Sequence, residues 1–186
     1  MIATTTSQEV ELALVELAQQ GDRNAFGELV SRHREGVINV VYRMSGDVQM
    51  AEDIAQEAFI KAWQKLPSYR PQAPFRNWVY RIATNATLDL LRKEKDTVDV
   101  DAIQIASPNP HVEDQVADMQ RAEQVKQAVL ALPEASRSVL ILREYEWLSY
   151  QEIADTLDIP LGTVMSRLNY ARKAMRDSLS HLLEES

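Results

Sequence analysis

Apolar positions recur three and four residues apart along nearly the whole chain, and no segment alternates with period two for long enough to argue for a strand. The first run, QEVELALVELAQQ at 8–20, predicts an amphipathic helix stopped at Gly21. Asp22 is placed to cap a second helix from Arg23 to about Met44, with Phe26, Leu29, Val30, Val37, Val40 and Val41 inward. Gly46-Asp47 ends it and caps a third helix over 48–66, closed by Pro67, whose Ile54, Ala58 and Ala62 face a core. The loop PSYRPQAP leads into a fourth helix from Phe75 to about Lys93. The stretch DTVDVDAIQIASPNPH then loses helical period and carries two prolines, which reads as a linker. Beyond it come helices at about 113–131 and 134–144, then a closely spaced pair within 149–176. The pattern predicts an all-α protein of two small helical domains, 8–95 and 113–186, joined by a flexible acidic linker over 96–112.

The closing pair, SYQEIADTLDIPLGTVMSRLNYARKAMR, has the layout of a helix-turn-helix DNA reader. Ser149 and Glu152 have capping-box spacing, and Ile153, Ala154 and Leu157 form a narrow apolar stripe. Pro160 drives the residue before it out of the helical region and breaks the first helix. In the second, from about Leu161, Val164, Leu168 and Ala171 point inward. Met165, Ser166, Arg167, Asn169, Tyr170, Arg172, Lys173 and Arg176 lie on the other side. An ordinary helical hairpin with a solvated basic face fits the same residues.

Charge sharpens the choice. The chain carries a formal net −8, yet between Ile159 and Arg176 it has four basic residues and no acidic one. A basic helix on an acidic protein suggests a placed phosphate contact. Residues 61–95 hold eight basic against two acidic residues, whereas 96–123 hold seven acidic against one basic. Such blocks point to separate surfaces for separate partners.

Composition removes whole classes of chemistry. With no cysteine there are no disulfides, thiolate metal sites or Cys nucleophiles. His33, His111 and His181 are far apart and lack metal-ligand spacing. No glycine-rich phosphate loop and no G-x-S-x-G elbow occurs. No run approaches the roughly 20 apolar residues that span a bilayer, and the N-terminus does not read as a signal peptide. The expectation is a cytoplasmic protein with no catalytic residue, no metal, no cofactor and no small-molecule substrate.

Two further constellations stay open on residue pattern alone. In AEDIAQEAFIKAWQKL, Phe59 and Trp63 beside Asp53, Gln56 and Glu57 fit a hot spot for a protein partner, and equally fit core residues at i, i+4. In PSYRPQAPFRNWVYRIATNATLDLLRKEK, Tyr69, Phe75, Trp78 and Tyr80 interleave with Arg70, Arg76, Arg81 and Arg92. That is how single strands are gripped, by base stacking and backbone contact, but packing aromatics with solvated arginines would look the same.

The order DVQMAEDIAQEAFIKAWQKL, a proline-flanked loop, then FRNWVYRIATNATLDLLRK resembles the second domain of bacterial RNA polymerase sigma factors, most closely the small extracytoplasmic-function class. LPEASRSVLILREYEWLSYQEIADTLDIPLGTVMSRLNYARKAM is similar to the fourth domain of that class, and the resemblance spans roughly 8–183 apart from the linker. It implies a chain that directs core polymerase to promoters and helps to melt them. Asp53, Gln56, Glu57, Phe59 and Trp63 would dock on the β′ clamp helices, and the C-terminal domain would sit on the β flap. The loop 67–75 and the fourth helix, through Tyr69, Arg70, Phe75, Arg76, Asn77, Arg81 and Asn85, would bind the −10 element. Thr163, Met165, Ser166, Arg167, Asn169, Tyr170, Arg172 and Lys173 would meet the −35 element. The linker's acidity would mimic nucleic acid in a basic channel, and an anti-sigma protein is an expected partner. Met165, Asn169 and Tyr170 stand where family members often carry Arg or Lys, so promoter preference cannot be transferred. The competing readings are a sigma-mimic adaptor that binds an anti-sigma protein, a plain helix-turn-helix regulator and, last, a helical enzyme with a carboxylate metal site.

Overall fold

The computed structural model describes residues 7–71, 73–97 and 113–184. Eight α-helices account for most of them: α1 Ser7–Gln19, α2 Arg23–Ser45, α3 Val48–Lys65, α4 Phe75–Thr97, α5 Glu113–Leu130, α6 Glu134–Glu144, α7 Tyr150–Leu157 and α8 Leu161–Glu184. A 3-10 turn, Leu66–Ser68, follows α3.

Local chemistry explains the boundaries. The Asp22 carboxylate accepts from the backbone N–H groups of Asn24 and Ala25 and starts α2. Gly46, at φ 79°, closes that helix in the left-handed conformation that costs glycine little, and Asp47 accepts from Met50 N–H to open α3. The Ser149–Glu152 capping box is complete. At the end of α7 the expected proline break is supplemented by Asp158, itself left-handed at φ 55°. Helix α4 continues past Lys93 to Thr97, into the first residues of the expected linker, because no Gly or Pro follows until Pro108. From 98 on, the linker lies outside the described residues.

Helices α1–α4 pack around Leu29, Val37, Val40, Val41, Ala51, Ala58 and Phe75, and α5–α8 around Val139, Ile141, Leu142, Ile153, Val164 and Leu168. The inward faces are those the periodicity selected. The two bundles also meet directly, α2 against α5 and α6, and α4 against α7. Arg137 of α6 fastens the junction. Its guanidinium donates to the Met44 carbonyl near the end of α2, to the Leu130 carbonyl at the end of α5 and to the Leu132 carbonyl just beyond it. These sit where helix C-termini concentrate negative partial charge. Burial of the guanidinium pulls its pKa down.

Candidate nucleic-acid and polymerase interfaces

Helices α2 and α3 leave between them an open groove of about 720 Å³, lined by Arg23, Phe26, Val30, Asp53, Gln56, Phe59, Ile60 and Trp63 among others. Four of the five residues expected to meet polymerase are therefore gathered in one concavity. The fifth, Glu57, is exposed on the same helix and pairs with Lys61 at 2.6 Å. The sequence left Phe59 and Trp63 open between core and surface, and each takes a different part. Phe59 is a core residue, whereas Trp63 is half-buried, its ring 4.9 Å from that of Phe26. Ile60, half-exposed at the rim, is an apolar lining residue left out of the expected set.

The loop between α3 and α4 is built on an aromatic cluster. Tyr69 stacks on Trp78 with ring centroids 4.5 Å apart, and Phe75 meets both edge-on. Phe75 is 1% exposed and Tyr69 7%. In this arrangement neither ring offers a face to a base, because both are consumed in holding the loop to the bundle. The Tyr69 hydroxyl donates to the Ala73 carbonyl, and burial pushes its pKa up to about 12. Outside the cluster, Arg70 and Asn85 are exposed, and Arg76 is half-buried with its guanidinium 5.9 Å above the Tyr80 ring.

The remaining members of the expected −10 set face the other domain. Asn77 is 2% exposed and donates through Nδ2 to Glu152 Oε1 of α7 at 3.2 Å, while its Oδ1 is buried without a hydrogen-bond partner. Arg81 reaches Asp158 Oδ2 at 3.0 Å and the Asp155 carbonyl. One turn away, the buried Tyr80 hydroxyl donates to Glu146 in the turn between α6 and α7. Hydrogen bonds from Ser149, with a smaller contribution from Asn77, hold the Glu152 carboxyl below its ordinary range. Acidic groups of the C-terminal domain thus occupy donors on α4 that sequence reasoning assigned to DNA. Local pattern could not show this, since the partners lie 66 to 77 positions apart.

In α8, Val164, Leu168 and Ala171 are buried, and Met165, Ser166, Asn169, Tyr170 and Lys173 are exposed along the opposite side. Thr163 and Arg167 are half-buried at its margins. Arg172 departs from its expected place among the phosphate contacts. It donates to Glu144 Oε1 through Nε at 3.1 Å and Nη2 at 2.7 Å, and lies 3.5 Å from the Tyr150 hydroxyl. It clamps α8 to α6 and α7. No helix among the described residues is long and apolar enough to cross a membrane.

Comparison with known proteins matches two stretches of the chain to family regions. Residues 29–97 match sigma-70 region 2, and residues 122–175 match sigma-70 region 4. The chain is similar to the ECF RNA polymerase sigma factor SigW of Bacillus subtilis, 36% identical over 90% of this chain and 96% of the relative. It is also similar to the ECF RNA polymerase sigma-E factor of Escherichia coli K12, 37% identical over 96% of this chain and 98% of that one. Among solved structures, CnrH in complex with the cytosolic domain of CnrY superposes with a TM-score of 0.69 at 25% identity, covering 95% of this chain and 99% of that one.

Proposed function

The chain belongs to the sigma-70 family of RNA polymerase sigma factors, in the extracytoplasmic-function class, and from that premise we propose how its surfaces divide the work. It is an alternative sigma factor, directing core polymerase to specific promoters to initiate transcription. The α2–α3 groove receives polymerase through Asp53, Gln56, Ile60 and Trp63, its apolar floor bounded by exposed acids and amides. The loop and α4 meet the −10 strand through Arg70, Arg76, Asn77, Arg81 and Asn85. The exposed side of α8 reads the −35 element, with Asn169 and Met165 suited to adenine and to a thymine methyl. Catalysis is left to the polymerase, and the chain works in the cytoplasm where that enzyme acts.

One observation supports this reading most directly. The face of α8 that carries base-reading side chains stays in solvent, while its other face is sealed into the domain. The same arrangement has Asn77 and Arg81 occupied by Glu152 and Asp158, so the described form is closed toward −10 DNA. Promoter engagement requires α4 and α7 to part. An anti-sigma protein would work by stabilising the closed form, in keeping with a similar structure that carries a second protein's cytosolic domain. The test of the function is reconstitution with core polymerase followed by genome-wide mapping of transcript starts. Starts sharing one −35/−10 pair support it. No transcript beyond those made by core alone would refute it.

A further inference from the structure

Helix α1 lies outside the residues that match region 2. We infer that α1 is the frame of the −10 loop, with Gln19 and Glu11 as positioning residues that hold its two ends. Gln19 Nε2 donates to two loop carbonyls, Leu66 at 3.0 Å and Tyr69 at 2.9 Å. Glu11 Oε1 accepts the backbone N–H of Phe75 at 3.2 Å, where the loop becomes α4. That N–H belongs to the first turn of a helix, which has no partner within the helix itself. The other Glu11 oxygen is 2.9 Å from His33 Nε2 of α2, which fixes the carboxylate in place.

Glu11 and Gln19 are eight positions apart, so they share one face of α1, roughly 12 Å apart along its axis. Val15 and Ala18 anchor the helix between them, at 2% and 3% exposure. Beneath the loop, a cleft of about 200 Å³ is lined by Glu11, Leu12, Val15, Pro71, Ala73 and Pro74, among others. The cleft separates Pro71, Ala73 and Pro74 from the facing side of α1. Hydrogen bonds from α1 at the loop's two ends join the Tyr69–Phe75–Trp78 cluster in setting its path, and with it the placement of Arg70 and Arg76 beside those ends.

This inference rests on the reading that the loop meets the −10 strand, and the experiment separates the two. Holoenzyme would be assembled from core polymerase and full-length chain carrying Gln19→Met, Gln19→Lys or Arg70→Ala. Three quantities would be read: affinity for core, affinity for a single-stranded −10 oligonucleotide, and the ratio between matched and mismatched −10 sequences. Gln19→Met removes both donations and should weaken the matched oligonucleotide roughly five- to thirtyfold, with core affinity unchanged. It should also compress the matched-to-mismatched ratio. Gln19→Lys restores a donor and should recover most of the loss. Equal loss of core binding would make Gln19 merely structural and overturn the inference. So would a Gln19→Met holoenzyme within twofold of the parent while Arg70→Ala is defective. If neither Gln19→Met nor Arg70→Ala affects the oligonucleotide, the −10 reading fails and takes the inference with it.

Discussion

Asn77 Nδ2 lies 3.2 Å from Glu152 Oε1, which ties α4, the helix proposed to meet the −10 strand, to α7, the first helix of the helix-turn-helix. Glu152 also completes the capping box that starts α7, so one carboxylate serves the local fold and the domain junction together. The contact is imperfect, because Asn77 Oδ1 is buried without a partner. A buried unsatisfied group of this kind costs about 1–3 kcal/mol, which favours a junction that can open.

The junction can be loosened from the α2 side. A Cβ at Gly36 would stand 2.5 Å from the Tyr80 hydroxyl and 3.7 Å from a Glu146 oxygen. Gly36→Ala should displace Tyr80 from Glu146 while favouring α2 itself by up to ~1 kcal/mol. Tyr80→Phe deletes the same bond without crowding. Both variants should raise the radius of gyration measured by small-angle scattering with helical circular dichroism retained. Unchanged dimensions in both would mean that this bond does not hold the domains together.

Side chains at three kinds of position in α8 should fail differently. Asn169→Ala should alter which −35 sequences are used, at a cost of about 1–3 kcal/mol at one base position. Lys173→Ala should weaken all promoters about equally and lower the salt dependence by roughly one phosphate. Arg172→Ala should act through stability instead, since its guanidinium is engaged with Glu144 and Tyr150. A sequenced promoter library, run at two salt concentrations beside thermal melts, separates the three outcomes.

Acid should unfasten α1. The His33 hydrogen bond holds the Glu11 carboxyl below its ordinary value near 4.5, against the opposing effect of burial. A depressed folded pKa means that the contribution is fully present above the unfolded value and fades as pH falls through the folded one. Denaturant titrations from pH 6 downward should show Glu11→Gln less stable than the parent at pH 6. The gap should narrow once pH drops below about 4.5. A gap that stays constant across that range would remove Glu11 from the stabilising charges.

Much of this architecture is legible in the sequence because it is local. Asp22, Asp47 and the Ser149–Glu152 pair mark helix starts, and the spacing of Val164, Leu168 and Ala171 orients α8. What the sequence hides is long-range. Tyr69 and Phe75 look available for base stacking until Trp78 and Phe26 are seen to enclose them. Arg172 looks like a phosphate contact until Glu144, 28 positions earlier, is found opposite it. Glu11 and Gln19 read as the polar face of an amphipathic helix, and only the fold brings a loop 50 to 64 residues downstream onto them.

The free chain is proposed to be closed over its −10 face and to open when it joins polymerase. The absence of cysteine makes this accessible, since Ser31→Cys and Ser178→Cys, both at exposed positions and one in each domain, can carry a donor and an acceptor dye without competing thiols. Energy transfer between them should be high and uniform in the free chain and fall on addition of core polymerase. It should fall part of the way without polymerase in Gly36→Ala. Low transfer in the free chain, or transfer unchanged by saturating core polymerase, would contradict the account.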